Sequence, residues 1–197
     1  MARGRPPTPH RGDVILAAAL DCFVERGFHG TSVPEVAQRA HIAAGTIYHY
    51  FDSKDALVNA LFRKWKAEVA TRVVAKFPGG APVRQQFRVM WLEMFAFALA
   101  EPKAFAFLEL HHHASYLDAE SQAIDRGLKQ FAEMMVQRAQ SEGVIRAGPT
   151  VLLMELVFGA FIGVVRAHQD GRLELTPEAC ALAEQACWDA LAAGHGR

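Results

Sequence analysis

The chain has 197 residues, of which 51% are hydrophobic and 21% are charged, and its formal net charge at pH 7 is zero. This composition is typical of folded globular proteins and excludes disordered and collagen-like chains, and the length fits a small head followed by a larger body. Zero net charge argues against a nucleic-acid partner only if the charge is evenly spread. Residues 1–66 contain nine Lys or Arg and six acidic residues, a net charge of +3, which leaves −3 for the remainder. The head is therefore the basic part, as expected of a segment that meets DNA.

Three further features exclude other classes of protein. Cys22, Cys180 and Cys187 have no paired spacing, so we predict neither a disulfide framework nor a zinc site, and no cofactor. The N-terminal basic residues are not followed by an apolar stretch, so no secretion signal is expected and the predicted location is cytoplasmic. The apolar run 151–165 is shorter than the roughly 20 residues of a membrane span, which predicts a buried helix and no membrane partner.

Apolar residues recur three and four positions apart along the whole chain, which predicts an all-α fold of about nine helices. The breakers Gly and Pro and the capping residues Ser, Thr and Asp set the boundaries. Thr31 and Ser32, ahead of Pro34 and Glu35, predict the N-cap of the second helix, and Asp52 or Ser53 that of the fourth. The predicted helices cover residues 8 or 11 to 26, 34–40, 44–51, 53–76, 83–100, 102–116, 119–142, 150–169 and 177–193.

Three short helices followed by a long one, with a brief turn between the second and third, predict a helix-turn-helix unit. In such a unit the third helix enters the major groove of DNA. We therefore predict a DNA-binding domain over residues 1–54 and a helical body over residues 55–197, with the fourth helix linking the two from residue 53.

The residues of this unit resemble the TetR family of transcriptional regulators. The resemblance rests on Gly27-Phe28, Gly30-Thr31-Ser32-Val33, Glu35-Val36-Ala37, Ala40, the run Gly45 to Phe51 and the run Ser53 to Leu57. It implies a homodimer that binds a palindromic operator and responds to a small molecule held in the body. Family pattern implies that Thr31, Thr46, Tyr48 and Lys54 contact phosphates.

A recognition helix must present small and polar groups to the groove while its other face packs on the head. Ala44, Gly45, Tyr48 and His49 are the predicted groove-side residues. Ile47 and Phe51 are expected in the core, and Tyr50 fits either place. Thr31 has the alternative role of a helix cap, and Lys54 that of a solvated charge.

Two positions depart from the family pattern. His41 stands where the family usually has glycine, and it tolerates the left-handed conformation less freely than glycine does. Ala43 stands where a serine usually caps the recognition helix, and alanine accepts no capping hydrogen bond. Before the first helix, Arg3, Arg5 and Arg11 form a basic arm that either reaches the minor groove or adds nonspecific attraction.

The body is rich in aromatic and thioether side chains, which predicts an apolar effector pocket, with an ordinary core as the alternative. Three consecutive helical residues point about 100° apart, so the run His111-His112-His113 is not expected to ligate one metal ion. We expect one or two of these histidines to make polar contacts in the pocket. The predicted pocket residues are Trp91, Phe95, Phe107, His111, His112, Tyr116, Phe131, Met135, Phe158 and Phe161.

The last two helices are rich in small and aliphatic residues, and the resemblance implies that they pair with their copies in a four-helix bundle. Glycines four positions apart let another helix approach closely. The predicted dimer interface consists of Leu156, Gly159, Gly163, Cys180, Ala183 and Cys187.

Two other classes of protein compete with this interpretation. No glycine-rich phosphate loop, His-Glu-x-x-His sequence or serine elbow is present, so the sequence predicts no enzyme. A helical scaffold without specific DNA binding would explain the body but not the ordered residues from Gly27 to Leu57. The sequence therefore favours a DNA-binding regulator, and the family resemblance implies a repressor that an apolar or aromatic small molecule releases from its operator.

Overall fold

The computed structural model describes residues 11–110 and 115–194. Over these residues the fold is all-α, as predicted, with nine helices and a single isolated bridge between Ile145 and Ala192. The helices are α1 (Arg11–Arg26), α2 (Val33–Arg39), α3 (Ala44–Tyr48), α4 (Lys54–Lys76), α5 (Val83–Ala100), α6 (Pro102–Leu110), α7 (Ala119–Ser141), α8 (Thr150–Gln169) and α9 (Pro177–Leu191).

The helix ends follow the chemistry expected of them. Gly27 ends α1 with φ of 68°, a left-handed conformation that glycine adopts without steric cost. Ser32 rather than Thr31 caps α2: its hydroxyl accepts from the Glu35 amide, and the Glu35 carboxylate accepts from the Ser32 amide at 2.8 Å. Ser53 caps α4, since its hydroxyl accepts from the Ala56 amide at 3.0 Å.

The chain divides into two compact units, which differ from the predicted boundary at residue 54. The head unit comprises the residues up to Trp65 together with 103–122, and the body unit comprises 66–102 and 123 onward. Part of α4 and nearly all of α6 belong to the head because Phe107 of α6, fully buried, lies 6.2 Å from Phe23 of α1 between ring centroids. Contacts between residues this distant in sequence are not encoded in helical periodicity.

The core of the body unit is built from aromatic rings. Trp91 and Phe95 of α5 pack on Phe161 of α8, with centroids 5.6 and 4.9 Å from the Phe161 ring. Arg84 of α5 reaches α9, where its guanidinium donates to both carboxylate oxygens of Glu184 at 2.5 and 3.0 Å. A second cluster joins α7, α8 and α9 through Ala139, Ile145, Leu153 and Leu191.

Helix α8 differs from the buried helix that the sequence predicts. It has 20 residues with a mean hydropathy of 1.9, so by length and composition it could cross a membrane, but only 17% of that apolar window is buried within the chain. Leu153, Phe161 and Val165 face the core. Leu152 and Leu156 are 53% and 61% exposed, so an apolar face of α8 has no partner within the described residues of the body unit.

Candidate nucleic-acid interface

The recognition helix α3 is anchored by one side chain and exposes others. Ile47 is fully buried in the head, whereas Tyr48 is 52% and Tyr50 is 41% exposed. His49 and Gly45 are exposed as well, and Ala44 and Thr46 are half-buried. The structure thus brings the predicted groove-side residues to the outside of one short helix and its C-terminal turn, and it places Tyr50 among the exposed residues.

The turn before α3 carries both departures from the family pattern. His41 has φ of 54°, so a non-glycine residue occupies the left-handed region there, and its side chain is exposed. Ala43 is the N-cap of α3 and makes no side-chain capping bond, as predicted. The first amides of α3 therefore have no hydrogen-bond acceptor in the side chain at the N-cap.

Thr31 does not face outward, which corrects its predicted phosphate contact. The residue is 2% exposed, and its hydroxyl lies 2.8 Å from the Gly27 carbonyl and 3.0 Å from the Cys22 carbonyl. Because the hydroxyl donates to these buried acceptors, Thr31 ties the end of α1 to the start of α2. The sequence around a threonine at a helix start does not show whether its hydroxyl is buried or exposed.

Lys54, at the start of α4, is half-buried rather than merely solvated. Its ammonium donates to the Phe28 carbonyl at 2.9 Å and to the Thr31 carbonyl at 3.0 Å. It also lies 4.2 Å from the centroid of the Phe28 ring. An ammonium has three donors, so these two hydrogen bonds leave one N–H for another acceptor.

Ion pairs hold α1 to α2 and engage much of the head's basic charge. Arg39 donates to both carboxylate oxygens of Glu25, at 2.5 and 2.7 Å, and Arg26 pairs with Glu35. Hydrogen bonds from Arg39 lower the pKa of Glu25, and those from the backbone and hydroxyl of Ser32 lower the pKa of Glu35. Arg11 is exposed, whereas Arg3 and Arg5 lie outside the described residues.

The described members of the predicted pocket are divided between the two units. Phe107 and Tyr116 belong to the head unit, where Tyr116 stacks on Phe28, and the remaining described members belong to the body unit. His111, His112 and His113, of which one or two are predicted to contact the ligand, lie outside the described residues.

Within the body unit the predicted pocket residues again separate. Trp91, Phe95, Phe158 and Phe161 pack ring against ring, whereas Phe131 is 41% exposed on α7 and Met135 is half-buried there. A depression of about 350 Å³ lies along α7 and includes Phe131. All of its lining comes from this one helix, so it is a surface feature: Gly127, Gln130, Phe131, Glu133, Met134 and Gln137.

The predicted dimer residues divide by exposure. Leu156, Gly159 and Gly163 lie on the exposed face of α8. A Cβ atom added at either glycine would meet no other atom of the described residues within 4 Å. Ala183 and Cys187 are half-buried. Cys180 is only 6% exposed and faces the core of its own chain, which corrects its predicted place in an interface.

Sequence reasoning missed two of the most exposed apolar residues on these helices. Leu152 lies four positions before Leu156 on α8, and Leu182 of α9 is 72% exposed. The i, i+4 spacing of Leu152 and Leu156 was the sequence feature that could have placed both on one face.

Two protein-family models together match nearly the whole chain. Residues 15–61 match the model for bacterial regulatory proteins of the tetR family, and residues 62–193 match the model for the tetracyclin repressor-like C-terminal domain. A crystal structure of a TetR family transcription regulator from Marinobacter aquaeolei superposes with a TM-score of 0.83 at 27% identity. The match covers 93% of this chain and 96% of that one.

Two curated relatives show where the sequence similarity lies. The fatty acid metabolism regulator protein of Bacillus subtilis is 24% identical over 149 residues, which are 74% of this chain and 76% of that protein. The HTH-type transcriptional regulator BetI of Burkholderia cenocepacia is 39% identical over 67 residues, which are 32% of this chain and 34% of the relative. From the two family matches and the exposed recognition helix, we conclude that this chain belongs to the TetR family of transcriptional regulators and carries that family's DNA-binding domain.

Proposed function

We propose that this protein is a cytoplasmic homodimeric repressor that binds a palindromic operator and leaves it when a small apolar or aromatic ligand occupies the body. The observation that carries the proposal is the recognition helix, where buried Ile47 fixes a segment whose Tyr48 and His49 face outward. An enzyme has no support from the family, whose members are regulators, and a scaffold would not need this exposed polar surface on the head.

In the proposed complex, α3 enters the major groove and the head contacts the phosphates beside it. Tyr48 and His49 present hydroxyl and imidazole groups to base edges, and Ala44 and Gly45 allow close approach. The side chains proposed to touch phosphates or the groove edge are Thr46, Tyr50 and the free donor of Lys54.

The dimer proposal rests on the unpartnered apolar face of α8 and α9. Leu152, Leu156 and Leu182 are each more than half exposed, which is costly for large aliphatic side chains in water. Gly159 and Gly163 let a second helix approach beside them. A two-fold interface repeats one surface on both subunits, and the resulting symmetry matches a palindromic operator. Ala183 and Cys187 complete the proposed interface.

The ligand proposal rests on the aromatic cluster of the body unit. The Trp91 indole N–H is buried and has no hydrogen-bond acceptor among the described residues. A ligand with an apolar body and an oxygen acceptor would satisfy this donor while packing on Phe95, Phe158 and Phe161. Phe131 and Met135 of α7 are proposed to contact it from the more open side.

Because α4 runs unbroken from Lys54 to Lys76, residues of both units share one helix, through which a ligand could bias the recognition helices.

The proposal is tested by selecting duplexes from a random pool with the purified protein at moderate salt. We expect enrichment of a palindromic sequence that binds one or two dimers, measured by mobility shift with stoichiometry. Adding medium-chain fatty acids or aromatic acids, chosen for their apolar body and carboxylate acceptor, should release this duplex. If no sequence is enriched by the folded protein, the scaffold alternative replaces the regulator.

A further inference from the structure

The turn just before α7 contacts the loop between α1 and α2. Tyr116 lies with its ring stacked on Phe28, with centroids 4.1 Å apart and planes 15° from parallel. Phe28 stands in the loop between α1 and α2, just ahead of the capped start of α2. Burial raises the pKa of the Tyr116 hydroxyl, as expected for a ring held within the head. This contact joins residues 88 positions apart in the sequence, both within the head unit.

Asn59 of α4 fixes the backbone at Tyr116 and just after it. It is 2% exposed, its amide donates to the Tyr116 carbonyl at 2.8 Å, and its carbonyl oxygen accepts from the Asp118 amide at 2.9 Å. Asp118 in turn accepts from the Ser121 amide at the start of α7 and from Arg63 of α4, at 2.8 and 2.7 Å. The position of the Tyr116 ring is therefore set by hydrogen bonds to α4.

Phe28 also stacks on Phe23 of α1, with ring centroids 6.2 Å apart, and contacts Lys54 at the start of α4. The Lys54 ammonium lies over the Phe28 ring and donates to the carbonyls of Phe28 and Thr31. The position of the ammonium therefore depends on the position of this loop. If the ring moves, Lys54 loses its cation–π contact, and the backbone at Phe28, whose carbonyl accepts from Lys54, is held less firmly ahead of α2. The free donor of Lys54 is the one assigned to phosphate in the proposed complex.

We propose that Tyr116 is a positioning residue for DNA binding: its ring holds Phe28, and through Phe28 it fixes Lys54 and the loop that starts α2. This inference rests on the proposed DNA complex. It replaces the sequence-based prediction that Tyr116 lines the effector pocket. We expect the aromatic ring of Tyr116, rather than its hydroxyl, to position Phe28, because the stacking contact is made by ring atoms.

The test is a double-mutant cycle on the full-length protein with the duplex that the wild type selects. The variants are Tyr116→Leu, Phe28→Leu, the double variant and the rescue variant Tyr116→Phe. Phe77→Leu is the matched control, since Phe77 makes an edge contact with another aromatic ring, Phe131, but belongs to the body unit rather than to the head. Affinity is measured by fluorescence anisotropy at a temperature where circular dichroism shows each variant folded. Hydrogen exchange at the amides of residues 28–32 is followed in parallel.

Tyr116→Leu should weaken binding about five- to ten-fold, the range that one aromatic stack supports. Phe28→Leu should lose a similar amount, and the double variant little more than either single one, because both remove the same contact. Tyr116→Phe should stay within about two-fold of wild type. Exchange at residues 28–32 should accelerate in the leucine variants alone.

Other outcomes overturn the inference. The inference is contradicted if Tyr116→Leu binds as tightly as wild type, if the two leucine effects add independently in the double variant, or if Phe77→Leu loses as much affinity as Tyr116→Leu. If Tyr116→Leu does not fold, Phe28→Leu against Tyr116→Phe still decides, since equal losses would assign the effect to the hydroxyl. A wild type that selects no duplex removes the proposed function itself, which distinguishes that failure from this one.

Discussion

Arg84 connects α5 to α9 through an acceptor that is almost completely buried. The Glu184 side chain is 3% exposed, and both of its carboxylate oxygens accept hydrogen bonds from the Arg84 guanidinium, which also donates to Gln185 at 2.7 Å. The same guanidinium lies 5.1 Å from the centroid of a Trp188 ring. Replacing Arg84 by alanine therefore leaves a carboxylate in the body core without its cation.

The magnitude follows from the burial of the two partners. Removing one member of a fully buried pair costs about 3–5 kcal/mol. The Arg84 side chain is 30% exposed, so water can reach part of the site, and we expect Arg84→Ala to lower the free energy of unfolding by about 2–3 kcal/mol. For a chain of this length, that corresponds to a fall in Tm of about 5–10 °C.

The assay is thermal unfolding followed by circular dichroism at one fixed protein concentration, because α9 also belongs to the proposed dimer face. Arg88→Ala is the matched control, since Arg88 is an exposed arginine one turn further along α5. Arg84→Lys should recover part of the loss, because it restores the charge but not the two-pronged geometry. An Arg84→Ala variant as stable as Arg88→Ala would refute the reasoning.

Four further predictions concern single residues. Ser32→Ala removes the α2 cap and should cost about 1 kcal/mol of unfolding free energy in urea titrations; no change would show that the capping box adds nothing. His41→Val should destabilise the head by about 1–2 kcal/mol because a β-branched residue resists the left-handed region, whereas His41→Gly should be neutral or stabilising in the same titration. Leu182→Glu should convert the dimer to monomer in light scattering, and a persisting dimer would move the interface away from α9. Glu35 has a lowered pKa in the fold, so its contribution should be complete above the ordinary glutamate pKa of about 4.3 and lost as the pH falls through the lower folded value; unfolding curves of Glu35→Gln should lack that acid-side loss.

Much of the fold is predictable from the sequence because helix ends are determined locally. Gly27 ends α1, Ser53 caps α4 and Thr176 caps α9, where its hydroxyl accepts from the Ala179 amide at 3.2 Å. Each of these depends on residues within one turn. The predicted family follows from a similarly local run of residues.

What the sequence does not predict depends on contacts between distant segments. The Phe23–Phe107 contact places α6 in the head, and the Phe28–Tyr116 stack removes Tyr116 from the predicted pocket. Cys180 and Leu182 lie two positions apart on α9, yet one faces the core and the other solvent. Helical periodicity separates the two faces of a helix but does not say which face meets a neighbouring helix and which meets a second copy.

The central claim is that α3 recognises DNA in a sequence-dependent way. Its most direct test is a titration of the selected duplex and a scrambled duplex with wild type and with a Tyr48→Ala/His49→Ala variant, both confirmed as folded dimers. We expect wild type to prefer the selected duplex by at least about 10³-fold, and the variant to lose most of this preference while keeping its nonspecific binding. A variant that discriminates between the two duplexes as well as wild type would contradict the assignment of α3 as the recognition helix.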